Sequence, residues 1–207
     1  MSPTPVLLIY AKPPRIGWSK TRLARSLGSG VTARRLATLT LARTLRAARS
    51  GHWAVRLYLD PQHARLGGIG RLSTGLDTRG QGRGDLTDRL GKGLSEAPPG
   101  PVLFIGTDAP GLTAGLIRKA LIALRRHDAV FGPARDGGFY LFGVRRSRRT
   151  RLPFSGVRWS GPHAMADLRA NLPRTARCVL LPELIDLDEA EDVRDWRGQM
   201  RHQGKSG

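Results

Sequence analysis

Between positions 12 and 22 the chain places four cations in a loop broken by two prolines and a glycine: Lys12-Pro13-Pro14-Arg15-Ile16-Gly17-Trp18-Ser19-Lys20-Thr21-Arg22. Pro and Gly keep such a loop out of regular structure and leave backbone N–H groups to meet an anion. Lys20 and Arg22 add full charges where a helix is expected to begin. The chemistry this fits is the grip of phosphates, although the spacing is not the Walker form. A surface loop in an Arg-rich chain is the plainer reading of the same residues. Two acidic groups bear on the choice: Asp108, in Gly106-Thr107-Asp108-Ala109-Pro110, and the pair Asp186 and Asp188. Carboxylates offer hard oxygen ligands to Mg²⁺ or Mn²⁺, whose remaining positions substrate phosphates fill. A phosphate loop beside metal-binding acids describes a phosphate-transfer or glycosyl-transfer site.

These residues act together only if one architecture brings them to one place. The loop follows the apolar run Val6-Leu7-Leu8-Ile9-Tyr10, which reads as a buried strand. An amphipathic helix is expected over 31–48 and a second strand over 53–59, ended by Asp60-Pro61. A glycine-rich passage from Gly67 to Gly84 leaves room for a weak strand near 71–76. A short helix over 86–94 and a strand over 102–105 follow, and then a helix over 113–126 with Thr113 as its N-cap. Strands over 129–132 and 139–143 flank Asp136-Gly137-Gly138, which also reads as a hairpin turn. A helix over 162–172, a strand over 177–181 and a helix over 189–200 complete the order, with no internal repeat. Alternating strands and helices with short connections predict a single α/β domain over 1–200. Its central sheet is expected to be mostly parallel, with helices on both faces, and a polar tail occupies 201–207. In such a sheet ligands gather outside the carboxyl ends of the strands, where all three charged groups fall.

Bulk properties narrow the function classes. The formal net charge is +19, from 35 Lys and Arg against 16 Asp and Glu. Lysine stands only at 12, 20, 92, 119 and 205, and arginine is dispersed along the chain, with clusters at 125–126 and 145–149. A dedicated nucleic-acid face needs a concentrated stripe with stacking aromatics or a known motif, and neither is present. The charge favours anionic substrates without specific nucleic-acid binding. No apolar run approaches the ~20 residues that span a bilayer. A single cysteine, Cys178, set in the apolar run 178–181, is expected to be a buried strand residue. It fits a reducing cytoplasm, and no export segment is read at the N-terminus. The five histidines show no metal-ligand spacing.

The ordered segments resemble the nucleotide-diphospho-sugar transferase superfamily of glycosyltransferase-A (Rossmann-like) fold. Within it they resemble small bacterial glycosyltransferases of the arsenosugar-biosynthesis type, also described as radical-SAM/selenodomain-associated transferases. The matching blocks are Ala11-Lys12-Pro13 with Gly17 and 20–23; 81–86; 106–112; and 132–140. Phe154 with Trp159-Ser160, and 186–192, extend the match. The resemblance implies that Lys12, Gly17, Lys20 and Arg22 hold the donor's phosphates, and that Gln81, Gly82, Gly84 and Asp85 lie where the base is read. It implies Asp108 and Asp188 as metal ligands for Mg²⁺ or Mn²⁺, with Asp186 as neighbour, and Asp136 facing the acceptor as a proton acceptor. Each has a structural competitor. Asp188 with Glu191 also resembles a capping box, Asp108 can open a plain turn, and Trp159 is a core or rim aromatic. Thr87 departs from the family pattern at a position commonly glycine, and Glu189-Ala190 departs from Thr-Pro.

Three function classes are open at this point. One is metal-dependent transfer of a sugar from a nucleotide-sugar to a small acceptor. The second is nucleotidyl transfer from a nucleoside triphosphate to a small phosphorylated or hydroxyl substrate with release of pyrophosphate, which the charge of the 12–22 loop favours. The third is non-enzymatic binding of nucleic acid. The sequence leaves the oligomeric state open.

Overall fold

The computed structural model describes residues 3–61, 69–147 and 149–203. Gly67, Gly68, Arg148 and the end of the polar tail, 204–207, lie outside the described residues. Seven strands form one sheet: β1 (Val6–Ala11), β2 (Ala54–Leu59), β3 (Asp77–Gly80), β4 (Gly100–Ile105), β5 (Ala129–Pro133), β6 (Phe139–Arg146) and β7 (Cys178–Leu180). Six helices accompany them: α1 (Thr21–Ser26), α2 (Gly30–Ala48), α3 (Leu86–Glu96), α4 (Ala114–Ala123), α5 (Ala164–Ala170) and α6 (Ala190–Gln203). The sheet order is β3-β2-β1-β4-β6-β5-β7, and only β6 runs against its neighbours.

The central strands are apolar at nearly every position because both faces of the sheet are covered. Period-two alternation still sorts their side chains. Leu7 and Ile9 of β1 join Leu103 and Ile105 of β4 on one face, under Leu41, Leu45 and Ala48 of α2 and Ile117 and Ala120 of α4. Val6 and Leu8 join Val102 and Phe104 on the other, under Leu90 and Leu94 of α3 and Leu168 of α5. That second face is aromatic. Phe104 lies 5.8 Å from Phe142 and 5.4 Å from Phe154, and Tyr10 stacks on Tyr58 at 5.1 Å.

Most elements follow the reading of the sequence within a few residues at their ends, with larger differences at the sheet edges and the last helix. The weak strand expected near 71–76 is a 3₁₀ turn over Gly70–Ser73, and the edge strand β3 comes after it. A four-residue strand containing Asp77 and Arg79 carries little β-propensity; pairing with β2 creates it. The last helix continues into the expected tail as far as Gln203. Cys178 is half-buried rather than buried, because β7 is an edge strand. Among the described residues no helix is long and apolar enough to cross a membrane.

The β3 edge is tied to α3 by a charged network. Glu96 accepts from Tyr58 Oη at 2.7 Å and Arg79 Nη1 at 3.0 Å, and pairs with Lys92 at 2.7 Å. Burial alone would raise its pKa. Donors from Lys92, Tyr58 and Arg79 outweigh burial and hold it at about 2, while Tyr58 rises to about 12. The folded pKa of Glu96 lies below its unfolded value of ~4.3, so this stabilisation is complete above that value and is lost as pH falls toward 2. Glu96→Gln is expected to cost about 1 kcal/mol at neutral pH, since the site is partly exposed. Denaturant midpoints of the two proteins should converge as pH falls to about 2.

Candidate active site

The strands β1, β4, β5 and β7 end on the same edge of the sheet, so the loops that follow them share one end of the molecule. At β1 the connections change direction, with β2 on one side and β4 on the other, which opens a crevice beyond the strand ends. Ile9 of β1 is in register with Ile105 of β4. The loop beginning at Lys12 and the turn carrying Asp108 therefore leave the sheet side by side.

The third acidic segment is brought in by alternation. Ile185 and Leu187 are buried in a small cluster with Leu23 of α1, Ala33 and Leu36 of α2, and Val193 of α6. Their extended segment turns Asp186 and Asp188 away from that cluster, toward the crevice. Leu187 N–H donates to Asp108 O at 3.0 Å, which fixes the two acidic segments against each other. The same cluster seats α1 through Leu23, and so carries Lys20 and Arg22 to the acids.

Lys20 is the centre of the site. Its backbone is left-handed, at φ 54° and ψ 41°, where it opens α1. A non-glycine residue in that region costs on the order of 1–2 kcal/mol and is commonly held there by functional surroundings. Its ammonium is almost fully buried and lies 2.6 Å from Asp108 Oδ1 and 2.9 Å from Asp188 Oδ1. Burial disfavours its charge, but the two carboxylates together outweigh burial and raise its pKa. Arg22 Nη2 donates to Asp188 Oδ2 at 2.5 Å. Asp186 is buried deeper. Desolvation first, then the neighbouring Asp108, push it up to about 8, and its Oδ1 has no hydrogen-bond partner.

Two cavities meet at these groups. The polar one, of about 520 Å³, is lined by Lys12, Lys20, Arg22, Gln81, Arg89 and Asp108, with Trp18 at its rim. The apolar one, of about 300 Å³, has Asp108, Asp136, Asp186 and Asp188 at one end and Tyr10, Leu86, Leu90, Phe104, Phe139 and Trp159 around the rest. Tyr10, Arg22, Leu86, Asp108, Ser160 and Asp188 line both. Ser160 is the other described non-glycine residue with positive φ, at 60°.

Several residues singled out in the sequence have partners within the protein. Lys20, expected to contact the donor's phosphates, bridges the two acids expected to hold metal. Gln81 is buried, and its amide donates to Ala11 O and Tyr58 O, both at 3.2 Å. It locks the ends of β1 and β2 together rather than presenting an open amide. Asp85 caps α3 in a reciprocal box with Asp88. Gly17, Gly82 and Gly84 lie outside the lining of both cavities; at φ 81°, 96° and 86° they make turns closed to side chains. At the helix start where a capping box was expected from Asp188, Asp192 Oδ2 accepts from Asp188 N at 3.0 Å and Glu189 N at 2.7 Å. The carboxylate of Asp188 is thereby left to the site. Asp136 forms the hairpin turn read for its segment and also borders a cavity. It accepts from Gly138 N at 2.9 Å in the β5–β6 hairpin, and it lines the apolar cavity.

Arg89, Tyr10 and Leu90 also line the cavities, and no sequence motif marks them. Arg89 donates to Asp60 Oδ2 at 2.8 Å and reaches Gln81 Oε1. Tyr10 reads as core. Its hydroxyl donates to Arg89 O at 3.1 Å, and α3 approaches it closely because Gly93 leaves the space: a Cβ there would lie 2.0 Å from the Tyr10 oxygen.

Residues 40–161, more than half of the chain, match the family described as "Uncharacterized protein conserved in bacteria (DUF2064)". The chain belongs to this family. No curated protein matches the sequence. Among solved structures, the family member is similar to a "putative nucleotide-diphospho-sugar transferase" of Desulfovibrio desulfuricans G20. Identity is 26%, covering 93% of this chain and 85% of that one, with a TM-score of 0.76. It is also similar to a CMP:2-keto-3-deoxy-manno-octonic acid synthetase in complex with CTP, at 13% identity, covering 97% and 100%, TM-score 0.59. A third is Rv0371c of Mycobacterium tuberculosis H37Rv in complex with manganese, at 17% identity, covering 94% and 98%, TM-score 0.59. The last two share the fold alone. The solved structures similar to this DUF2064 protein thus share its fold, and one of them is described as a nucleotide-diphospho-sugar transferase.

Proposed function

We propose that this DUF2064 protein transfers a sugar from a nucleotide-sugar to a small acceptor at the junction of its two cavities. The observation that carries the reading is that junction: one polar and cationic chamber and one apolar chamber share Asp108, Asp188 and Arg22. A donor diphosphate suits the chamber lined by Lys12, Lys20, Arg22 and Arg89, where cations can stabilise charge that develops on the leaving group. The acceptor suits the other. Its hydroxyl oxygen attacks the anomeric carbon and the bond from that carbon to the phosphate oxygen breaks. The nucleoside diphosphate leaves with the bonding pair, and the hydroxyl proton passes to Asp136.

The donor set also supports a divalent cation. Asp108 and Asp188 already converge on one positive group, the Lys20 ammonium, and Asp186 offers a buried oxygen with no partner. All are hard oxygens. No cluster of three or more metal-ligating side chains is found among the described residues. That favours an ion shared with donor phosphates, held by one or two carboxylates, over a resident cage. Asp108 and Asp188 would hold Mg²⁺ or Mn²⁺, and the ion would supply neutralisation of the leaving diphosphate.

A second reading, nucleotidyl transfer from a nucleoside triphosphate, is favoured by the four cations lining the donor chamber. A thermal-shift panel of nucleotide-sugars and nucleoside triphosphates, each with and without Mg²⁺ or Mn²⁺, separates the two. Sugar transfer predicts stabilisation by a nucleotide-sugar with metal. A response to triphosphates alone, followed by metal-dependent pyrophosphate release, supports the second reading. No response to any nucleotide removes both. Metal without nucleotide is expected to move Tm by less than metal with donor, because Lys20 and Arg22 together already neutralise the two acids.

A further inference from the structure

The apolar chamber has a charge pattern that restricts its occupant. On the transferase reading, which this inference extends, it is the acceptor's chamber. Its volume, about 300 Å³, lies at the small end of ligand cavities. The polar tips of its aromatic walls are already satisfied within the protein. Trp159 Nε1 donates to Thr87 Oγ1 at 2.9 Å, and Thr87 in turn donates to Phe154 O at 3.2 Å. Tyr10 Oη donates to Arg89 O. What these two residues present to the chamber is ring surface, continued by Phe104, Phe139, Leu86 and Leu90.

The other end is acidic. Asp108, Asp136, Asp186 and Asp188 line it, and Arg22 is the one cation among the described lining residues. Arg22 faces Asp188 at 2.5 Å, and the neighbouring Lys20 faces Asp108 and Asp188. Among the described residues no cation pairs with Asp136, so a phosphate or carboxylate on the acceptor would meet an uncompensated carboxylate there. A second anion placed here would face like charges in a partly desolvated site, where repulsion acts as discrimination between acceptors.

We infer that the acceptor is a small compound with an apolar, ring-sized body and a hydroxyl group, uncharged or cationic, and that phosphorylated acceptors are rejected. Thr87, which departs from the glycine of the family pattern, positions Trp159 in this wall.

The test needs neither donor nor turnover. Three probes share one body: 2-phenylethanol, 2-phenylethylamine and 2-phenylethyl phosphate. Their binding to the full chain is followed by ligand-observed NMR and by tryptophan fluorescence. The alcohol and the amine are expected to bind at millimolar concentration and the phosphate at least about tenfold more weakly. Asp136→Asn should narrow that gap. Trp159→Leu should weaken the alcohol severalfold, and Thr87→Val, which removes the anchor of the indole together with the bond to Phe154 O, should do so to a smaller extent while the protein keeps its fold. Phosphate binding as tight as the alcohol's, failure of all three probes to bind, or indifference of the alcohol to both wall variants would overturn the inference. The transferase reading can survive that outcome. Conversely, a silent nucleotide panel would remove that reading and leave the chamber's selectivity measurable.

Discussion

Lys20→Met is expected to have opposite effects on metal binding and on activity. The ammonium lies between two carboxylates, so its removal leaves Asp108 and Asp188 facing each other with Arg22 on one of them only. At an effective dielectric of ~20, charges ~4 Å apart repel by about 4 kcal/mol. Asp108 is half exposed, which reduces this to an expected loss of about 1–2 kcal/mol in the absence of ligands. Removing the left-handed lysine changes nothing in Leu23 or the cluster behind it, so α1 should stay seated. A divalent cation can then replace the missing charge. Mn²⁺ alone should raise the Tm of the variant by more than it raises that of the wild type. Turnover should nevertheless fall by about 10²–10³-fold, because a cation aimed at the donor phosphates has been lost. Equal metal responses in the two proteins would mean that Lys20 does not occupy the cation's place.

Asp108→Asn should separate folding from function. The substitution keeps the side-chain shape, and Lys20 keeps its partner Asp188 at 2.9 Å. The Asp108 backbone carbonyl that accepts from Leu187 is untouched. Stability without ligand is therefore expected to change by less than ~1 kcal/mol. The metal-dependent part of nucleotide stabilisation should disappear, and activity should drop by at least about 10³-fold. Asp77→Asn, which alters an acid paired with Arg56 and Arg79 on the β3 edge, should leave nucleotide and metal binding as in the wild type. A metal-dependent shift that persists in Asp108→Asn would exclude this residue as a ligand.

The sequence disclosed the architecture where periodicity and burial agree. Continuous apolar runs marked β1 and β4, alternation of strand and helix implied a covered, mostly parallel sheet, and the charged loops fell at the strand ends that topology brings together. It disclosed less where long-range pairing decides the structure. Asp77–Gly80 becomes a strand only because β2 lies beside it. Cys178 reads as buried from its apolar neighbours, but being at the sheet edge leaves it half-covered. In the candidate site, residue types were legible and partners were not. Gln81 and Asp85 sit in the block expected to read a base, yet Gln81 is bonded to two backbone carbonyls and Asp85 caps a helix. Nothing in local sequence separates an amide that meets a ligand from one that ties two strands together. The apolar chamber was invisible for a related reason. Tyr10, Leu90 and Phe104 have the composition of a core, and only the packing of α3 and α5 over the sheet reveals that the core opens on one side.

The most direct test of the two-chamber junction uses the tryptophan side chains as reporters. Trp18 lines the polar chamber and Trp159 the apolar one, whereas Trp53 lies by the start of β2, where Ala54 N–H donates to Pro5 O at the opposite end of the sheet. In a protein labelled at the indole nitrogens, paramagnetic Mn²⁺ added with a nucleotide-sugar should broaden the Trp18 and Trp159 signals and leave Trp53 sharp. Broadening of Trp53 with Trp18 and Trp159 unaffected would place the cation and its nucleotide elsewhere, and the account built on Lys20, Asp108 and Asp188 would be wrong.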